Sequence, residues 1–154
     1  MTQASDPRNN YRWFILILGS LSNTLVVALQ SMSLSVLLPE ITGDLNLSLF
    51  QAGIIWGTLS LPGIFSFLLA GAAIDRFGPK RVLIIACSLV GLFGALRGGA
   101  DSFSALLITV FLFGFFGPFV SISNVKNIGI WFEDHEFGLA NGITALGMAL
   151  GFFL

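Results

Sequence analysis

The chain has 154 residues, 55% of them hydrophobic and 10% charged, with a net charge of −1. A soluble domain carries about a quarter charged residues, so this chain has too few to cover a water-facing surface, and a lipid bilayer must solvate much of it. The charge balance gives no case for a nucleic-acid partner, and the single Cys87, inside an apolar run, cannot close an intramolecular disulfide.

Residues 1–12 form a polar tail with Arg8 and Arg12. The first apolar segment, residues 13–38, is longer than the apolar part of a signal peptide and has no small-residue cleavage site. It is read as a retained membrane helix that stops at Pro39. Ser20, Asn23, Thr24, Gln30, Ser31 and Ser35 recur along it at three- and four-residue steps, which places them roughly on one stripe. Amides facing lipid without partners cost free energy, so the stripe faces other helices or a water-filled cavity. Ordinary interhelical hydrogen bonding and contact with a solute both account for it. In the second account Asn23, Thr24 and Gln30 are cavity residues.

The second segment, residues 49–74, is interrupted by Pro62 and runs into the stretch GAAIDRFGPKR, Gly71 to Arg81, which concentrates Asp75, Arg76, Lys80 and Arg81. The third covers residues 82–99. It ends near Arg97, whose side chain is expected to extend to the outer membrane surface. The fourth, residues 103–131, carries Gly114, Gly117 and Pro118 in mid-span and a polar end with Ser121, Ser123, Asn124, Lys126 and Asn127; Asn124 and Lys126 are further cavity candidates. The fifth, residues 138–154, is still apolar at Leu154, so the chain is expected to be the N-terminal portion of a longer protein, cut within its fifth helix. A span needs about 20 residues, which the first four segments supply. Gly53/Gly57, Gly94/Gly98 and Gly147/Gly151 have the spacing that lets helix backbones approach closely, and tight packing is expected of all three.

The basic residues sort by side. If the spans alternate, six of the seven fall on the side of the N-terminal tail, with Arg97 the exception. The positive-inside rule then places the tail, residues 76–81 and residues 133–136 in the cytoplasm of a multi-pass protein of the plasma (inner) membrane. No Asp or Glu lies in the middle of a span, no GxxxxGK[ST] phosphate loop is present, and no side-chain cluster suggests a metal or a nucleophile. The expectation is therefore an all-α helix bundle that is not an enzyme and needs no cofactor.

With these residues in place, Gly71, Asp75, Arg76, Gly78, Lys80 and Arg81 resemble the loop signature G-x-x-x-D-R-x-G-R-[KR]-[KR] of the major facilitator superfamily, in its slot between the second and third spans. The stretch WFEDHEFGLANGI, Trp131 to Ile143, is similar to that family's connection between spans four and five. Three positions depart from the pattern: Pro79 replaces a basic residue, Val110 stands where many members carry Arg, and Phe137 replaces a frequent loop Arg that supports Asp75. The resemblance implies a secondary transporter of twelve helices in two halves, each built from inverted three-helix repeats. In that frame the first and fourth spans line a central cavity for a small polar solute, with an organic or inorganic anion and a coupling ion as candidates. Asp75 and Arg76 would latch this half to a C-terminal half of the same protein, holding one side of the cavity closed. A non-transporting sensor or scaffold, or a small transporter that dimerises, remain open alternatives.

Overall fold

The structure, a computed structural model, describes residues 7–132 and 134–153, and the side chains of all of these except 7–10, 29, 30 and 134. It is all-α. The first span is built from α1 (Pro7–Ser22), a π-helical stretch Asn23–Ala28, and α2 (Leu29–Asp44). After it come α3 (Leu49–Phe77), α4 (Pro79–Arg97), α5 (Phe103–Trp131) and α6 (Asp134–Phe153). Among the described residues, five helices are long and apolar enough to cross a membrane.

The ends of these helices follow from local chemistry, and several differ from the limits read in the sequence. α2 does not stop at Pro39 but runs through it to Asp44. The ring removes only the bond to the Ser35 carbonyl, at an exposed end of the span, and Thr42 Oγ1 donates to the Pro39 carbonyl at 2.8 Å. α3 opens on a reciprocal cap: Gln51 N–H donates to Ser48 Oγ at 3.2 Å and Ser48 N–H to Gln51 Oε1 at 2.8 Å. It continues to Phe77 and breaks at Gly78, whose φ of 82° and ψ of 149° admit essentially only glycine. Pro79 is then the first residue of α4, so this helix begins before residue 82. At that position the missing N–H would have had no helical partner, and the lost donor costs nothing. α6 begins at Asp134 rather than 138, because Asp134 and Glu136 suit the positive end of a helix.

α5 is the hub of one side of the bundle and packs along both α3 and α4, while α6 packs along the π stretch and α1. Glycine makes both seams possible. A Cβ on Gly114 would collide with the Leu59 carbonyl, so the α5 and α3 backbones touch there. On the other seam, Gly147 meets Ser20 and Thr24, and a Cβ on Gly151 would stand 2.8 Å from Ala28 Cβ. Close packing thus holds for Gly147/Gly151. It does not hold for Gly53 and Gly57, which have nothing within 4 Å, nor for Gly98, which meets only the carbonyl of its own turn. Large apolar side chains such as Leu61, Ile64, Phe65 and Leu68 on α3 are exposed on the outside, a surface only lipid or another helix can cover.

Candidate functional site

Two sets of polar residues stand out, one at the end of the bundle that holds the N-terminal helix start and one inside it. At that end, in the last turn of α3, Asp75 pairs with Lys126 of α5. Both are open to solvent, at 71% and 40% exposure, and they border an open cleft of about 610 Å³ with Gly78, Pro79 and Phe137. Lys126, one of the cavity candidates of the fourth span, borders this cleft and not the space that Asn124 borders. Two residues along an α-helix turn through about 200°, so Lys126 and Asn124 lie on opposite faces. The consequence bears on Phe137, expected to leave Asp75 poorly supported: α5 supplies the cation instead.

The remaining loop residues divide by role. Arg76 is exposed, with its guanidinium 5.6 Å from the Phe77 ring centre. Arg81 is exposed, and Lys80 borders an apolar cleft of about 260 Å³ between α1, α4 and α5. Gly71 lies within α3 with nothing within 4 Å of a Cβ, so it presents a smooth open face. Nearby, Arg12 of α1 and Glu136 of α6 form a second pair that the sequence reading missed, with Nη1 and Nη2 donating to the carboxylate at 2.5 and 3.1 Å. The guanidinium lies 5.9 Å from the Trp13 ring and 5.4 Å from that of Phe132. These partners are 124 positions apart, and only the fold brings them together.

Inside the bundle, a cavity of about 290 Å³ opens between the first span, α3, α5 and α6. Ser31, Ser60 and Ser121 give it hydroxyls, and Phe67, Phe113 and Met148 give it apolar wall. Gly114 and Gly117 of α5 also line it, Gly114 at the seam with α3 and Gly117 with nothing within 4 Å of a Cβ. The stripe on the first span does not face this space as one unit. Asn23, 4% exposed, stands one bond behind it and accepts from Ser121 Oγ at 3.4 Å. Thr24 turns toward α6, donating to the Ser20 carbonyl at 2.9 Å while its side chain packs on Gly147 and Gly151. Its hydroxyl is satisfied within the first span, and the side chain serves close packing against α6. Gln30 is in α2, and its side chain lies outside the described residues. Asn124, 1% exposed, packs against Gly19 of α1 and borders the apolar cleft near Lys80, away from the cavity. Its Nδ2 has no hydrogen-bond partner among the described residues.

Arg97 also departs from expectation. Its side chain turns into the bundle, Nη2 donating to Ser33 Oγ of α2 at 3.0 Å, with the guanidinium 5.7 Å from the Phe113 ring centre. Val110 sits one turn away on α5, fully buried with Leu34, Ile55 and Leu106. Among the described residues no group of three His, Cys, Asp or Glu could hold a metal ion.

Comparison with known proteins agrees with this architecture. Residues 20–154 match the family model described as Major Facilitator Superfamily. Over 125 residues, 80% of this chain and 29% of the relative, the chain is 37% identical to a hexuronate transporter of Bacillus subtilis. It is 28% identical over 137 residues, 88% of this chain and 32% of the relative, to a probable sulfoacetate transporter of Cupriavidus necator. A probable nitrate/nitrite antiporter of Thermus thermophilus is 32% identical over 133 residues, 86% of this chain and 30% of the relative. The chain spans about a third of the length of these curated relatives. With five membrane-spanning helices, the acidic-basic turn at Gly78 and a family match over most of its length, this integral, multi-pass membrane chain belongs to the major facilitator superfamily.

Proposed function

We propose that the chain forms part of a secondary transporter that moves small anions by alternating access. The end of the bundle carrying Arg12, Asp75 and Lys126 is the cytoplasmic one, in the plasma (inner) membrane. The proteins it resembles are named for hexuronate, sulfoacetate and nitrate or nitrite, all small anions, which supports that solute class. In this reading the hydroxyl-lined space between the first span, α3, α5 and α6 is one wall of the transport cavity, and a second half of the transporter supplies the opposite wall. A coupling ion belongs to the same reading.

The observation that carries the mechanism is the exposed pair of Asp75 and Lys126 beside the turn at Gly78. A pair this open to water is worth about 0–1 kcal/mol, so Asp75 exchanges partners at little cost. When the second half closes on the smooth face at Gly71, its helix-end N–H groups and cations compete for the carboxylate. Each charge-assisted bond there contributes about 1–3 kcal/mol, enough to shift a two-state population about five- to 150-fold toward the outward-open state. Release of Asp75 to Lys126 lets the halves rock and opens the cavity to the cytoplasm. Arg76 strengthens the closed state from the exposed side of the same turn.

Uptake of a labelled hexuronate into vesicles tests the reading. Asp75→Asn in the intact transporter is expected to lower the initial rate about tenfold while membrane insertion is unchanged. Normal uptake by that variant would remove the gate. A neutral solute carried in preference to any anion would remove the solute class.

A further inference from the structure

Arg97 is the last residue of α4, at the end of the bundle where residues 98–102 turn the chain into α5. Water is within reach of a side chain so placed, and a long cation at a helix end ordinarily extends toward it. Arg97 does the reverse, reaching Ser33 on α2 and lying over the ring of Phe113 on α5. Phe113 is ten residues along α5 from its first residue, which corresponds to about 15 Å of helix. The ring is 3% exposed and forms part of the wall of the hydroxyl-lined cavity. A positive charge is therefore held one aromatic ring away from that space.

We infer that Arg97 determines the charge specificity of the cavity, acting across Phe113 as a fixed positive potential that favours anions and favours dianions more than monoanions. The inference rests on the anion reading above and deepens it. Arg97 is not among the residues lining the cavity and acts through the ring by positioning charge. Ser33 holds the guanidinium in place, and the ring keeps it from pairing with the solute so tightly that release would stall. The apolar surroundings, with Val110, Leu106 and Leu34 packed together close by, screen the field far less than water does.

The scaling with solute charge separates this role from a structural one. Coulomb energy sums over charges, so removing the cation raises the KM of a dianion by more than that of a monoanion of the same shape, up to the square of the factor where both charges lie equally near the ring. The test uses the intact transporter in proteoliposomes, with a hexuronate carrying one charge, the corresponding hexarate carrying two, and a neutral hexose. Arg97→Gln is expected to raise the KM for hexuronate about fivefold and for hexarate by more, up to about 25-fold, and any change in kcat is shared by both. Arg97→Lys keeps both KM values within about twofold of the unmodified protein, since the charge is retained. Phe113→Leu thins the wall without removing the cation and raises the hexarate-to-hexuronate preference about twofold. That variant also serves where Arg97→Gln fails to fold.

Equal KM shifts for the two acids, or a fall in kcat alone, would show that Arg97 merely braces three helices and would overturn the inference while leaving the anion reading intact. An unchanged preference in Phe113→Leu would overturn it as well. A wild-type protein that binds neither acid, or takes the hexose as readily, would overturn the anion reading itself.

Discussion

Arg12 and Glu136 face each other across the starts of α1 and α6, and Asp75 and Lys126 across the end of α3 and the last third of α5, at the same end of the bundle. The chemistry is the same, one carboxylate and one cation. The surroundings differ. Arg12 and Glu136 are 22% and 26% exposed, joined by two hydrogen bonds, with Trp13 and Phe132 against the guanidinium. Asp75 and Lys126 make a single contact in the open. The first arrangement is a strut that fixes α1 to α6, because neither partner finds a comparable alternative once desolvated. The second is a loose tie that water or another protein surface can replace. Exposure, more than residue type, decides which pair is structural and which is free to switch.

Mutations can break that contrast. Arg12→Ala carries the largest expected effect, a loss of about 2 kcal/mol in thermal unfolding of the purified protein, since it strands Glu136 and empties the space between two rings. Glu136→Gln keeps the packing and one acceptor, and is expected to cost about 1 kcal/mol in the same assay. Asp75→Asn and Lys126→Gln should each change stability by under about 1 kcal/mol, whatever they do to transport. If Asp75→Asn destabilised the protein more than Arg12→Ala, the distinction between strut and tie would be lost. The finest test is salt. Raising ionic strength from about 0.1 to 1 M should erase the coupling between Asp75 and Lys126 in a double-mutant cycle and leave most of that between Arg12 and Glu136.

Much of the architecture was legible in the sequence because the bilayer leaves few choices. Long apolar runs have to be helices, and the charges have to gather in the joints. Gly78 and Pro79 marked a turn that the backbone then required. What escaped was register. The polar residues of the first span were placed on one stripe by assuming 3.6 residues per turn from Ser20 to Ser35, and the π stretch Asn23–Ala28 interrupts that count. Ser20 and Thr24, one turn apart, serve the seam with α6, while Ser31, beyond the π stretch, reaches the cavity. Asn124 and Lys126, both cavity candidates, are two residues apart and so lie on opposite faces of α5. Arg12–Glu136 and Arg97–Phe113 join residues remote in sequence, and no local pattern announces them. Arg97 was read as a surface anchor because the local rule favours water, and the structure shows the rule overridden.

The π stretch has a consequence for how the length of this chain tolerates change. A π turn is what a helix forms when it absorbs one extra residue without disturbing the helices on either side. Deleting one residue elsewhere in a span would rotate everything beyond it by about 100° and misplace every contact on that side. Deleting one within Asn23–Ala28, such as the exposed Leu25, would let the stretch relax to an ordinary α-helix with α1 and α2 still facing their present neighbours. The first span thus holds a spare residue, and single-residue loss in this bundle should be survivable there before it is survivable in α3 or α5.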